Sequence, residues 1–154
     1  MMFIYFYTYS IGKIGIGETA GVIRNVYFER DKLPEVYKLF ETELLKESSI
    51  QLAEYLSGER KEFDLPLSPS GTTFMKEVWA ELCKISYGKT ASYKEVAQNI
   101  GSPKAARAVG LANNRNPIPI FIPCHRVIGA NGALTGYRGG IEMKKILLEL
   151  EGIK

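Results

Sequence analysis

Apolar and polar residues alternate over 2–9, 11–17 and 21–28, with Gly12, Gly17 and Gly21 as turn residues around the three runs. Successive side chains of an extended chain point to opposite faces, so a period of two predicts three short antiparallel strands in a meander. Beyond Pro34 the period lengthens. Val36, Leu39, Phe40, Leu44 and Leu45 recur at helical spacing, and Ile50, Leu52, Ala53, Tyr55 and Leu56 predict a second short helix stopped by Gly58. Residues 65–71, Leu-Pro-Leu-Ser-Pro-Ser-Gly, break both kinds of element and read as a linker. It separates an N-terminal domain at 1–64 from a C-terminal domain at 72–154.

Past that break the pattern stays helical. Thr72 or Thr73 can cap a helix striped by Phe74, Val78, Trp79, Leu82 and Ile85, with Cys83 close to the stripe and expected to pack as a small hydrophobe. Ser92 is placed to cap Tyr93–Ile100, with Glu95 three residues on for a capping box and Gly101 at the stop. Pro103 opens a further helix from Lys104 to about Asn113, and two short helices joined by a glycine-containing turn form a candidate helix-turn-helix. A last helix, Ile141 to about Glu151, is expected to turn Ile146, Leu147 and Leu150 to the core. The expected fold class is α/β (α+β): a small antiparallel-sheet domain, then a mostly helical domain.

Composition narrows the classes. A 154-residue chain with 45% hydrophobic and 24% charged residues can build its own core. The apolar opening Met2–Tyr7 is too short to cross a bilayer, which takes about 20 residues, and lacks signal-peptide flanks, so a cytoplasmic protein with no membrane partner is expected. Two distant cysteines and one histidine cannot assemble a structural zinc site, and no metal is expected. Charge is uneven: residues 1–70 hold 8 basic against 11 acidic side chains, residues 71–154 hold 12 against 6. The basic half is compatible with a polyanionic partner and equally with an unevenly charged, solvated surface.

The only histidine lies beside one of the cysteines, in Pro123-Cys124-His125-Arg126. A thiol attacks as thiolate, and its pKa of about 8.5 falls when a cation stands nearby. Adjacent residues of an extended strand diverge, so Cys124 and His125 need a turn or a bridging water to cooperate. Pro117, Pro119 and Pro123 hold this apolar segment out of helix. From the residues alone Cys124 reads equally as a nucleophile and as a buried structural thiol. Upstream, 104–115 is nearly bare of bulky side chains and can approach a neighbouring helix or a nucleic-acid groove closely, with Arg107 protruding; a major groove of about 12 Å admits a helix.

Four stretches carry a resemblance: Ser102-Pro103-Lys104-Ala105-Ala106-Arg107-Ala108-Val109-Gly110, Asn116-Pro117, Ile122-Pro123-Cys124-His125-Arg126-Val127, and Thr135-Gly136-Tyr137-Arg138-Gly139-Gly140. Over roughly the last 80 residues the chain closely resembles the O6-alkylguanine-DNA alkyltransferases, and the Pro-Cys-His-Arg core is highly specific among short motifs. The resemblance implies single-turnover DNA repair without a cofactor, by a monomer acting on double-stranded DNA that contains O6-alkylguanine. It assigns Cys124 as alkyl acceptor, His125 as the base acting through water, Glu151 as orienter of the imidazole, Tyr93 as proton donor to the departing guanine, and Asn116 as shaper of the turn. It assigns DNA binding to Arg107, which fills the space left by the flipped base, and to Tyr93, Ser92, Lys104, Ala105, Ala106, Asn113 and Arg115. The pocket would use the Cys124 and Val127 carbonyls, the Arg138 amide, Gly139 and a wall from Tyr137. Asn113, Asn114 and the charged Arg138 depart from the usual pattern. Two rivals remain: a thiol hydrolase that turns over repeatedly, and a damage-recognition module that does not react, against which Cys124 itself argues.

Overall fold

A computed structural model, which describes residues 1–153, divides into two compact units, Met1–Pro69 and Ser70–Lys154. In the first, strands β1 (Phe3–Tyr9), β2 (Gly12–Thr19) and β3 (Val22–Tyr27) form the expected antiparallel meander. The sheet is nevertheless mixed, in the order β3-β2-β1-β4, because β4 (Lys38–Leu39) runs parallel to β1. This strand replaces the helix expected after Pro34. Lys38 N donates to Met2 O at 2.9 Å and Phe40 N to Ile4 O at 3.2 Å, so the edge of β1 claims backbone groups that a helix would have used internally. The apparent apolar stripe is not a core face: Val36, Leu39 and Phe40 are all exposed.

The helix begins later. Thr42 caps α1 (Glu43–Leu56), its hydroxyl accepting from Leu45 N at 3.1 Å. The two expected helices merge into this one, since Ser48 and Ser49 bond back to Leu44 O and Lys46 O and leave the helix unbroken. Leu45, Leu52 and Tyr55 from α1, with Ile4, Ile14, Ile16 and Ile23 from the sheet, are fully buried. Burial of each such side chain stabilises by about 1.5–3 kcal/mol. Part of the expected linker also joins the sheet, through Ile23 N to Pro66 O at 2.8 Å and Ser68 N to Ile23 O at 2.9 Å.

The second unit is mainly helical: α2 (Thr73–Leu82), α3 (Tyr93–Asn99), α4 (Ala106–Asn114) and α5 (Ile141–Leu150), with strands β5 (Ala91–Ser92) and β6 (Val127–Ile128) paired in parallel. Thr72 caps α2, and the Ser92/Glu95 capping box starts α3 as read from the sequence. Val78, Trp79 and Leu82 face the core, whereas Cys83 is exposed at the end of α2 and does not pack as expected. The small residues of α4 have a use: Trp79 Nε1 reaches the Ala112 carbonyl at 2.9 Å. On α5 the buried set is Lys144, Leu147 and Leu148, while Ile146 is exposed, so the inner face is rotated from the expected one and admits a lysine.

Candidate active site

The segment after α4 is built as a rigid wall. Asn116, 2% exposed, donates from Nδ2 to Ile122 O at 2.8 Å and accepts at Oδ1 from Ile118 N at 2.9 Å. Between them Ile120 has φ of 75°, a left-handed conformation that a β-branched residue adopts only under constraint, at a cost of about 1–3 kcal/mol. Burial of Ile118, Ile120 and Ile122 and the Asn116 bonds supply that constraint. The chain then makes one turn of 3-10 helix, Cys124–Arg126, the turn that sequence reasoning required before neighbouring side chains could cooperate.

His125 is fully buried, and its Nε2 lies 2.8 Å from Glu151 Oε2. Glu151 terminates α5 and gathers donors from three residues, His125, Arg126 and Gly88. Arg126 Nε and a terminal guanidinium nitrogen reach its two oxygens at 2.9 and 3.1 Å, and Gly88 N reaches Oε1 at 3.0 Å. Burial alone would raise the Glu151 carboxyl, but the bonds from His125, Arg126 and Gly88 outweigh it and hold the group down at about 2. Burial pushes the His125 imidazole below its ordinary value, with Glu151 opposing and Arg126 and Lys144 adding to the fall.

Cys124 is 4% exposed, and burial pushes its thiol up. The groups that pull it back are the Asn116 amide and the charges of Lys144 and Arg138. The neighbouring Arg126, expected to activate the sulfur, turns to Glu151 and to Ile85 O at 2.6 Å instead. Sequence reasoning missed Lys144. Its ammonium, fully buried, donates to Val127 O at 2.7 Å and Thr135 O at 3.3 Å, and burial lowers its pKa while Cys124 opposes the fall. A polar residue at a core position of an apolar helix, seven residues before Glu151, was the available signal. Thr135 was also missed; its hydroxyl hydrogen-bonds the Tyr93 hydroxyl.

The remaining expected residues divide by exposure. Lys104, Arg107 and Arg115 are exposed and Ala105, Ala106 and Tyr93 half-buried, around the two ends and outer face of α4 and the start of α3. Asn113, expected to face DNA, is 2% exposed and turned inward, donating from Nδ2 to Cys124 O at 3.3 Å. Ser92 is likewise buried, and its hydroxyl is occupied by capping Glu95 N at 3.1 Å. Val127 and Tyr137 are buried and Gly139 half-buried, while the exposed Arg138 donates to Asn116 O at 3.2 Å. Among the described residues no cluster of three or more Cys, His, Asp or Glu could hold a metal, and no helix is long and apolar enough to cross a membrane.

This arrangement presents a thiol, a neutral imidazole fixed by an ionised carboxylate, and a basic helix surface. The sequence profile of the 6-O-methylguanine DNA methyltransferase, DNA binding domain, matches residues 73–153, and that of the 6-O-methylguanine DNA methyltransferase, ribonuclease-like domain, matches residues 2–69. A methylated-DNA–protein-cysteine methyltransferase of Methanosarcina acetivorans is 61% identical over 110 residues, covering 71% of this chain and 70% of that protein. The constitutive methylated-DNA–protein-cysteine methyltransferase of Bacillus subtilis is 57% identical over 114 residues, covering 73% and 69%. The crystal structure of Mycobacterium tuberculosis OGT in complex with DNA matches with a TM-score of 0.92 and 44% identity, over 97% of this chain and 92% of that one.

Proposed function

The chain belongs to the 6-O-methylguanine DNA methyltransferase family, and from that premise we propose which residues carry each step. It is a DNA-binding repair protein, a methyltransferase that moves an alkyl group from DNA to a cysteine of its own. Cys124 is the acceptor, O6-alkylguanine in duplex DNA is the substrate, and a monomer suffices because one thiol takes one alkyl group.

The observation that carries the reading is the fully buried His125–Glu151 pair, 2.8 Å apart, beside the buried thiol. A thiol raised by burial is protonated at rest and needs a base. An imidazole lowered by burial is neutral and can accept a proton. With Nε2 engaged by Glu151, the exchange falls to Nδ1 through a water, and the Glu151 carboxylate balances the imidazolium that forms. The sulfur then attacks the alkyl carbon; the S–C bond forms, the C–O6 bond breaks, and its electron pair leaves with guanine. The Tyr93 hydroxyl protonates the departing base, and the proton held by His125 returns to Tyr93 through solvent. The thioether is neutral and stable, so each molecule acts once.

Reaching O6 requires the nucleotide to leave the stack, at a cost of a few kcal/mol. Arg107, exposed on α4, fills the vacated space, and Lys104 and Arg115 meet phosphates. The carbonyls of Cys124 and Val127 accept from the guanine amine, the Arg138 amide approaches O6, and Tyr137 walls the ring beside Gly139.

Intact-protein mass spectrometry after mixing with a duplex containing O6-methylguanine tests this. One methylene is gained per chain, and none by Cys124→Ala. Unchanged mass with DNA still bound points to the recognition module, and repeated turnover to a hydrolase.

A further inference from the structure

Tyr93 is the proton donor in the reading above, yet nothing in its own helix fixes its hydroxyl. It stands at the first position of α3, half-buried, and its phenol oxygen meets the hydroxyl of Thr135, 42 residues away in the segment between β6 and α5. That segment is itself secured. The buried Lys144 ammonium bonds Val127 O in β6, just before the segment, and Thr135 O midway along it, at 2.7 and 3.3 Å, tying the two together. The parallel pairing of Ser92 with Ile128 ties the start of α3 to the same loop. Lysine, threonine and tyrosine thus form a chain from the core of the unit to the phenol.

We propose that Thr135 is a positioning residue for leaving-group protonation: its hydroxyl holds the Tyr93 hydroxyl in place and donates to the phenolate oxygen as the proton passes to guanine. A hydroxyl is both donor and acceptor and rotates to suit, so the bond seen in the resting protein can reverse direction during the step. When the C–O6 bond breaks, the guanine anion takes the Tyr93 proton, negative charge develops on the phenol oxygen, and the Thr135 O–H turns towards it. No proton leaves Thr135, and the phenol is restored by the proton from His125. A hydrogen bond to a charged oxygen is stronger than one to a neutral phenol, so the interaction favours the transition state over the ground state. Lys144 supplies the rigidity, because a loop free to move by an ångström would give the bond up.

The inference rests on the reading of Tyr93 as the acid, and the experiment separates the two. Single-turnover rates are measured with two free bases, O6-benzylguanine and an analogue whose electron-withdrawing C8 substituent makes the departing base more acidic, on Thr135→Val, Thr135→Ala, Thr135→Ser and Tyr93→Phe. The expected result is a loss of about tenfold on O6-benzylguanine for the Val and Ala variants, the scale of one hydrogen bond to a charged group. The loss shrinks to less than about twofold on the activated base, and Thr135→Ser stays near the parent on both. Equal losses on the two bases, or no loss, in Thr135→Val and Thr135→Ala while Tyr93→Phe remains sensitive to the leaving group, overturn the role of Thr135 alone. A Tyr93→Phe variant indifferent to the leaving group overturns the acid assignment and this inference with it. Should the valine variant not fold, the alanine and serine variants give the same comparison.

Discussion

Replacing Glu151 with glutamine removes the one negative charge around which His125, Arg126 and Gly88 are arranged. Two estimates give the size of the effect. The carboxyl sits at about 2 in the folded protein, against about 4.3 in an unfolded chain, and each pH unit of difference corresponds to about 1.4 kcal/mol, so the ionised form contributes about 3 kcal/mol. Breaking a buried ion pair by removing one partner costs about 3–5 kcal/mol, because the Arg126 guanidinium is left uncompensated. The two agree within their precision, and about 3 kcal/mol on a chain of this size lowers Tm by about 6–12 °C. The sign follows from the depressed pKa: the stabilisation is complete above the unfolded value near pH 4 to 5 and is lost as pH falls through about 2. The single tryptophan, Trp79, is 2% exposed in the core of the second unit, so its fluorescence during denaturation reports on the unit that holds Glu151. Parent and Glu151→Gln are compared at pH 7, 5 and 3. The gap is large at the first two and narrower at the third. A gap under about 1 kcal/mol at pH 7, or one that does not narrow with acid, refutes the reasoning.

Arg107→Ala should slow repair of a duplex by about tenfold or more while sparing reaction with free O6-benzylguanine, since the free base needs no flipping; equal losses in a paired rate assay remove Arg107 from that role. Lys144→Met takes away a charge that pulls the Cys124 thiol down, so the midpoint of its modification rate by iodoacetamide moves to higher pH. A midpoint that stays or falls contradicts the electrostatic part of the account. Ser92→Ala deletes one side of the capping box at a cost of about 1 kcal/mol and about 2–4 °C in Tm by calorimetry; an unchanged Tm means the cap is replaced by solvent.

The features legible in the sequence were those that one short stretch decides. The three strands follow from a period of two, and the Ser92/Glu95 capping box from two residues three apart. Pro123-Cys124-His125-Arg126 marked the site because the chain has a single histidine. Local pattern failed where a distant partner had the stronger claim. Residues 34–40 carry a helical stripe, but the bare edge of β1 takes their backbone. Asn113 looks solvent-facing on a basic helix, yet Cys124 O, eleven residues on, draws its amide inward.

Chain order alone therefore determined the three-stranded meander, the Thr72 and Ser92 caps and the Pro123-Cys124-His125-Arg126 candidate, because hydrogen bonds and periodicities inside one segment fix these. The protonation chemistry was decided by folding. Glu151 meets His125 across 26 residues, Lys144 from the same helix α5 meets Val127 and Thr135, and Arg126 is drawn from the sulfur to a carboxylate. Charge and desolvation act through space, and which charges share a dry interior is known only once the helices that carry them have packed.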